Sequence, residues 1–185
     1  MGTELLTERL RLREWRTDDI SSLTEVFAKP EVWHFPLRRA FTGDESRAFL
    51  ARMMDLQGEG TPCPFAAEMK GSGQLIGYVG LSIPHFLPEV MPSVEIGWRV
   101  DPSLWRNGLA TEGARAVLTH AFDTLGLGEL VSIYEPENEA SGNVMQRIGM
   151  HFDRDTAHPD GGLPLRVFRL SKQEWVSQVR QMGDR

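Results

Sequence analysis

Val94-Glu95-Ile96-Gly97-Trp98-Arg99-Val100-Asp101-Pro102-Ser103-Leu104-Trp105-Arg106-Asn107-Gly108-Leu109-Ala110-Thr111-Glu112 is the stretch on which the fold of this chain turns. Ser93 to Val100 alternates, with Val94, Ile96, Trp98 and Val100 on one side and Glu95, Gly97 and Arg99 on the other, as a strand does. From Thr111 to Leu125 the apolar residues Ala114, Val117, Leu118, Ala121, Phe122 and Leu125 recur at helical spacing. A strand therefore runs through a tight turn into a helix. The first N–H groups of that helix lack intrahelical partners and carry the positive end of its dipole, which makes an anion site. Gly108 and Ala110 leave a pyrophosphate free to approach those donors, while Arg106 and Thr111 add a charge and a hydroxyl. The turn has neither the Gly-Lys-Ser/Thr of the nucleoside-triphosphate loop nor the dinucleotide G-x-G-x-x-G. Asn107-Gly108 taken alone is also a common turn dipeptide.

Outward from this stretch, Arg9-Leu10-Arg11-Leu12-Arg13 alternates as a half-buried strand, with the two leucines inward and the three arginines on the other face. Thr17-Asp18-Asp19-Ile20 starts a helix that carries Ile20, Leu23 and Phe27. Thr42-Gly43-Asp44-Glu45 is a capping box opening a second helix with Phe49, Leu50, Met53 and Leu56 on its stripe. Between them, Trp33-His34-Phe35-Pro36 fits neither period and either plugs a core edge or floors a substrate site. Phe65 to Met69 and Gln74 to Ile83 form a hairpin through Lys70-Gly71-Ser72-Gly73. Leu130 to Tyr134 and Leu163 to Leu170 read as further strands, Asn138 to Ile148 as a helix stopped by Gly149. Ser171-Lys172-Gln173-Glu174 caps a terminal helix that sets Trp175 against the body. The order β-α-α-β-β-β-α-β-α-β implies a mixed α/β sheet.

Length and composition fit one domain over 1–185, with 41% hydrophobic and 25% charged residues. No apolar run approaches the ~20 residues that span a bilayer, and no export signal is visible, so a cytoplasmic protein without membrane partners is expected. Leu6 stands where a myristoylation signal requires Ser or Thr. The single Cys63 precludes an intrachain disulfide, and the five histidines show no ligand spacing, so no metal is expected. A net charge of −6 argues against a nucleic-acid partner and mildly favours basic substrates.

The run Glu95-Ile96-Gly97-Trp98, Asp101-Pro102 and Trp105 to Glu112 resembles the acyl-CoA motif of the GNAT superfamily, in particular its ribosomal-protein N-acetyltransferase-like branch. Thr7 to Arg13 resembles that branch's first strand, Ile76 to Leu81 the strand before the cofactor motif, and Asn138, Ser141, Val144 and Ile148-Gly149-Met150 its late helix. Many superfamily members carry Gln or Arg where Trp105 stands, although an aromatic there is familiar in this branch. The resemblance implies a GNAT-like, mostly antiparallel sheet flanked by helices, splayed between 93–100 and 130–134, and acetyl-CoA as co-substrate. Trp98 and Val100 would then offer backbone groups to the pantetheine arm, the turn of Arg106, Asn107, Gly108, Leu109, Ala110 and Thr111 would hold the pyrophosphate, Trp105 would be a further cofactor-binding residue, and Asn138 would touch the pantetheine or acyl region.

Acetyl transfer to an amine requires a neutral amine, a stabilised oxyanion and a protonated leaving thiolate. Glu95, on a central strand beside the cofactor, is the candidate base, directly or through a water; its competing role is a structural partner of Arg99. Ser141 in the first turn of the late helix and Tyr134 at its strand end are rival acids, and a backbone N–H near Trp98 to Val100 is the expected oxyanion donor. Cys63, between Pro62 and Pro64 and without an adjacent histidine, is not a covalent nucleophile. Glu135, Glu137 and Glu139 either attract a cationic amine or form a solvated face. The acceptor is a peptide or protein N-terminus or a small-molecule amine; the alternative is a non-catalytic acyl-CoA-binding module, and oligomeric state is open, a homodimer included.

Overall fold

Eight strands and six α-helices follow one another in the computed structural model, which describes residues 2–183. They divide into two units, residues 1–82 with 97–117 and residues 83–96 with 118–185.

In the first unit, β1 (Glu4–Leu6), β2 (Leu10–Arg13), β3 (Pro64–Met69) and β4 (Leu75–Ser82) pair antiparallel in chain order, and β5 (Val94–Val100) follows β4. The expected 65–83 hairpin is β3 and β4, and its turn closes on Gly73 at φ +72°. Gly77 in β4 answers a tight approach: a Cβ there would stand 2.0 Å from the Arg99 carbonyl oxygen of β5, at a φ of +131°. Helices α1 (Ile20–Phe27), α2 (His34–Leu37) and α3 (Gly43–Gly58) come from the segment between β2 and β3. α3 begins with the expected reciprocal cap, Glu45 N–H donating to Thr42 Oγ1 and Thr42 N–H to Glu45. Thr17 does not cap α1. A 3-10 turn over Thr17–Asp19 leads into it, and Asp19 accepts from the Arg16 amide.

Trp33 plugs the core, stacking on Phe41 at 3.8 Å and meeting Phe27 edge-on among Leu23, Phe27, Leu50, Met53 and Ala66, whereas His34 and Pro36 are exposed. The expectation that β2 turns its arginines outward fails at Arg13, which is buried. Its guanidinium forks onto Asp19 at 2.7 and 2.8 Å and donates through Nε to Glu68 at 2.9 Å. Burial is tolerated because both carboxylates are delivered to it, Glu68 from the neighbouring strand and Asp19 from the start of α1.

In the second unit, β5 pairs in parallel with β6 (Glu129–Tyr134) at Val94↔Leu130 and Glu95↔Val131. β6 pairs antiparallel with β8 (Pro164–Ser171), and β8 with β7 (His151–Ala157). α5 (Glu139–Arg147) follows β6, and α6 (Lys172–Gly183) closes the chain through the expected Ser171/Glu174 box, with Trp175 near Phe122. α4 (Leu109–Thr119) runs on into a π turn over His120–Thr124. Ala114, Val117, Leu118, Ala121 and Phe122 are fully buried as their spacing requires, but Leu125 is 48% exposed. The wide π turn inserts a residue and rotates Leu125 off the stripe.

Asp19→Ala leaves the buried Arg13 guanidinium with Glu68 as its remaining carboxylate and two donors without their partner, and is expected to lower stability by roughly 1–3 kcal/mol, read as a shift of the urea midpoint at unchanged m-value.

Candidate active site

The turn between β5 and α4 is fixed from several directions within the first unit. Asp101, 2% exposed, sends its amide to the Ile76 carbonyl at 2.8 Å. Its carboxylate accepts from Lys29 Nζ at 2.6 and 2.7 Å and from the amide and hydroxyl of Ser103. Burial pushes the Asp101 carboxyl up, but Lys29 and Ser103 outweigh it and hold it below its usual value. A 3-10 turn over Pro102–Leu104 follows, and the Trp105 indole N–H reaches back to the Val100 carbonyl at 2.7 Å. Trp105 thus ties the end of the strand to the turn, and the Val100 carbonyl already accepts one hydrogen bond.

Arg106 and Gly108 both take positive φ, +63° and +78°. A Cβ on Gly108 would have nothing closer than Arg9 Nη2 at 3.6 Å, so the glycine is required by backbone conformation more than by crowding. The Gly108 carbonyl accepts from the Glu112 amide, which makes Gly108 the residue from which α4 starts. No acceptor among the described residues meets the amides of Leu109, Ala110 and Thr111. With Arg106 and Asn107 exposed beside them, these amides fit a diphosphate: donors without acceptors, at the positive end of a helix, behind a residue with no side chain.

Trp98 and Arg99 are half-buried on β5. Arg99, the structural partner suggested for Glu95, is taken up elsewhere: Nε donates to the Tyr78 hydroxyl at 3.0 Å, Nη1 to the Val32 carbonyl at 2.6 Å, and the guanidinium lies 3.9 Å over the Trp33 ring.

The second unit holds Glu95, Tyr134, Asn138 and Ser141. Glu95 is half-buried and pairs through its backbone register with Val131; one residue on, the Ser132 hydroxyl donates to the Ile96 carbonyl at 2.8 Å. Asn138 caps α5, its Oδ1 accepting from the Ser141 amide at 3.3 Å. The Tyr134 ring lies against Gly142, where a Cβ would stand 2.9 Å from the phenolic oxygen, and meets Phe168 edge-on. The two rival acids are therefore brought to the same turn of α5. Of the three acids beside it, Glu137 and Glu139 are exposed, whereas Glu135 is 5% exposed and is no part of a solvated face. Cys63 is half-buried, and burial, then Glu14, pushes its thiol up, away from a nucleophilic thiolate.

Sequence reasoning missed the support of the turn. Thr7 and Arg9 both bind Glu112, and Lys29 binds Asp101. Only the proximity of Glu112 to Gly108 was visible as a signal. Among the described residues no cluster of three or more His, Cys, Asp and Glu could hold a metal ion, and no helix is long and apolar enough to cross a membrane.

The strand, positive-φ turn and uncapped helix start lie in a mixed, mostly antiparallel sheet. Residues 9–151 match the model of the acetyltransferase (GNAT) domain, so the chain belongs to the GNAT family and is an acyltransferase. It is similar to the N-acetyltransferase p20 of Bacillus licheniformis, 27% identical over 177 residues that cover 93% of this chain and 98% of that protein. A GNAT-family acetyltransferase from Bacillus anthracis shares the fold, with a TM-score of 0.78 and 22% identity over 92% of this chain and 99% of its own. So does RimL, the ribosomal L7/L12 alpha-N-protein acetyltransferase solved with coenzyme A, with a TM-score of 0.76 and 14% identity over 91% and 98%.

Gly108→Ala forces an L residue to φ +78° and is expected to cost about 1–2 kcal/mol, measured as a lower urea midpoint; an unchanged midpoint would show that the turn relaxes to negative φ.

Proposed function

We propose that this chain transfers an acetyl group from acetyl-CoA directly to a primary amine, on a peptide or protein N-terminus or a small molecule. The observation that carries this reading is the row of unpartnered amides at Leu109, Ala110 and Thr111 behind Gly108. When bound, acetyl-CoA supplies the acyl group as a thioester. The chain's own residues do the rest. Gly108 to Thr111 hold the diphosphate through backbone N–H groups, flanked by Arg106 and Asn107, and Trp105 keeps the strand end and the turn in register. Trp98 and Val100 present backbone groups to the pantetheine arm, and the Asn138 side-chain nitrogen, its oxygen being committed to the Ser141 amide, serves the acyl region.

Glu95 takes the proton of the attacking amine, directly or through a water, as the N–C bond forms and the C–S bond breaks. The thiolate receives its proton from Tyr134 or Ser141. A phenol is intrinsically a stronger acid than an aliphatic alcohol, which favours Tyr134 as the donor. Direct transfer is supported by Cys63, which is half-buried with its thiol pushed up by burial and Glu14 and so is poorly suited to a covalent intermediate. The resemblance to p20 supports the activity class, and RimL's complex with coenzyme A supports the co-substrate. We place the protein in the cytoplasm.

The test is thiol release from acetyl-CoA against ribosomal-type N-terminal peptides, polyamines and aminoglycosides. Turnover with at least one class is expected, with kcat falling about 100-fold in Glu95→Gln and the KM for acetyl-CoA unchanged. Tyr134→Phe should lower kcat more than Ser141→Ala. Coenzyme A binding without turnover on any amine would replace this reading with a non-catalytic acyl-CoA-binding module.

A further inference from the structure

The carboxylate of Glu112 stands one residue beyond the free amides of α4, and it should be a difficulty there. A helix N-terminus favours a carboxylate, but a bare negative charge beside the same amides repels a diphosphate. The structure covers it. Glu112 Oε1 accepts from the Thr7 hydroxyl at 2.5 Å and the Arg9 amide at 2.8 Å, and Oε2 accepts from Arg9 Nε at 2.7 Å and Nη2 at 2.6 Å. Thr7 is itself fixed, since its hydroxyl oxygen accepts from the Leu10 amide at 2.8 Å as β2 begins. Burial pushes the Glu112 carboxyl up, and the bonds from Thr7 and Arg9 more than reverse this, so it stays ionised and matched to the guanidinium.

Arg9 has one more arm. Its Nη1 donates to the Asn107 carbonyl at 2.8 Å, on the other side of Gly108. One guanidinium therefore grips the residue before the glycine and the carboxylate after it, and the segment between them, with its open amides, is spanned by a single rigid plane. A partly exposed ion pair contributes little to global stability by itself, and Arg9 is 41% exposed against 17% for Glu112. What a planar fork adds is preorganisation, which lowers the ordering cost that binding otherwise bears.

We infer that Arg9, locked to Glu112 and Asn107, is the positioning residue of the diphosphate turn and sets affinity for coenzyme A without touching the coenzyme or the acceptor. This rests on the coenzyme A reading of the turn. Calorimetric titration with coenzyme A should show about tenfold weaker binding in Arg9→Ala, with kcat at saturating acetyl-CoA unchanged and the loss appearing in KM. Arg9→Lys, which keeps the charge but cannot span both partners, should recover only part of the loss. Glu112→Ala should match Arg9→Ala, and the double variant should bind no more weakly than the weaker single, because the pair acts as one unit. Amide exchange at Asn107 to Thr111 in the free protein should speed up in Arg9→Ala while the β3 and β4 amides keep their protection.

The same factor is expected for 3′-dephospho-coenzyme A; a loss confined to the full coenzyme would mean direct phosphate contact and overturn the positioning role. Equal affinity of Arg9→Ala and wild type would overturn it outright. Should wild type bind no coenzyme A, the functional reading falls, and unchanged exchange at Asn107 to Thr111 in Arg9→Ala would then overturn the positioning of the turn separately.

Discussion

An α-helix cannot satisfy its own first amides, and most of this chain's functional architecture follows from leaving those of α4 open to an outside acceptor. Open amides are useful only if they point the same way, and that direction is set by the few residues before them. Gly108 at φ +78° turns the chain into the helix, and Arg106 at +63° accepts an unfavourable conformation two residues earlier. Such a turn does not hold itself. Trp105 fastens it to the end of β5, Asp101 and Lys29 fasten that strand end to the segment after α1, and Arg9 with Glu112 fastens it to the start of β2. The polar bonds around the turn are thus concentrated on its supports, while its own amides are kept free.

How much of this was legible in the sequence depended on whether the decisive contacts were local. The β3–β4 hairpin, β5, β6, β8 and the buried stripe of α4 were written in periods of two or 3.6 residues, and the boxes at Thr42/Glu45 and Ser171/Glu174 in an i, i+3 spacing. β1 and β7 escaped. Three residues are too few to show a period, and His151 to Ala157 is nearly all polar, with no buried face to alternate against. The π turn after α4 escaped because the apolar spacing continues through it, and only the backbone reveals the extra residue.

The site divides along the same line. The turn ahead of α4 was legible because a glycine flanked by a strand and a helix advertises its backbone shape. Its supports were not, because Arg9 and Glu112 lie 103 residues apart, and Lys29 and Asp101 lie 72 apart. Arg13 illustrates the cost of reading one strand alone: alternation placed it outward, and two carboxylates from other elements made the outward face an interior one.

This asymmetry explains why the acyl donor can be argued from sequence more closely than the acceptor. A diphosphate is gripped by contiguous main chain, so its site survives as a pattern over a dozen residues. An acceptor amine must be recognised by side chains, and those assemble from distant segments. The Arg99 guanidinium joins distant segments in this way: it rests on Trp33, donates to the Val32 carbonyl and to the Tyr78 hydroxyl, and so links α1's following loop, β4 and β5 in one cluster. No spacing rule links those positions. A shared fold therefore leaves each chain's own side-chain clusters to choose its substrate.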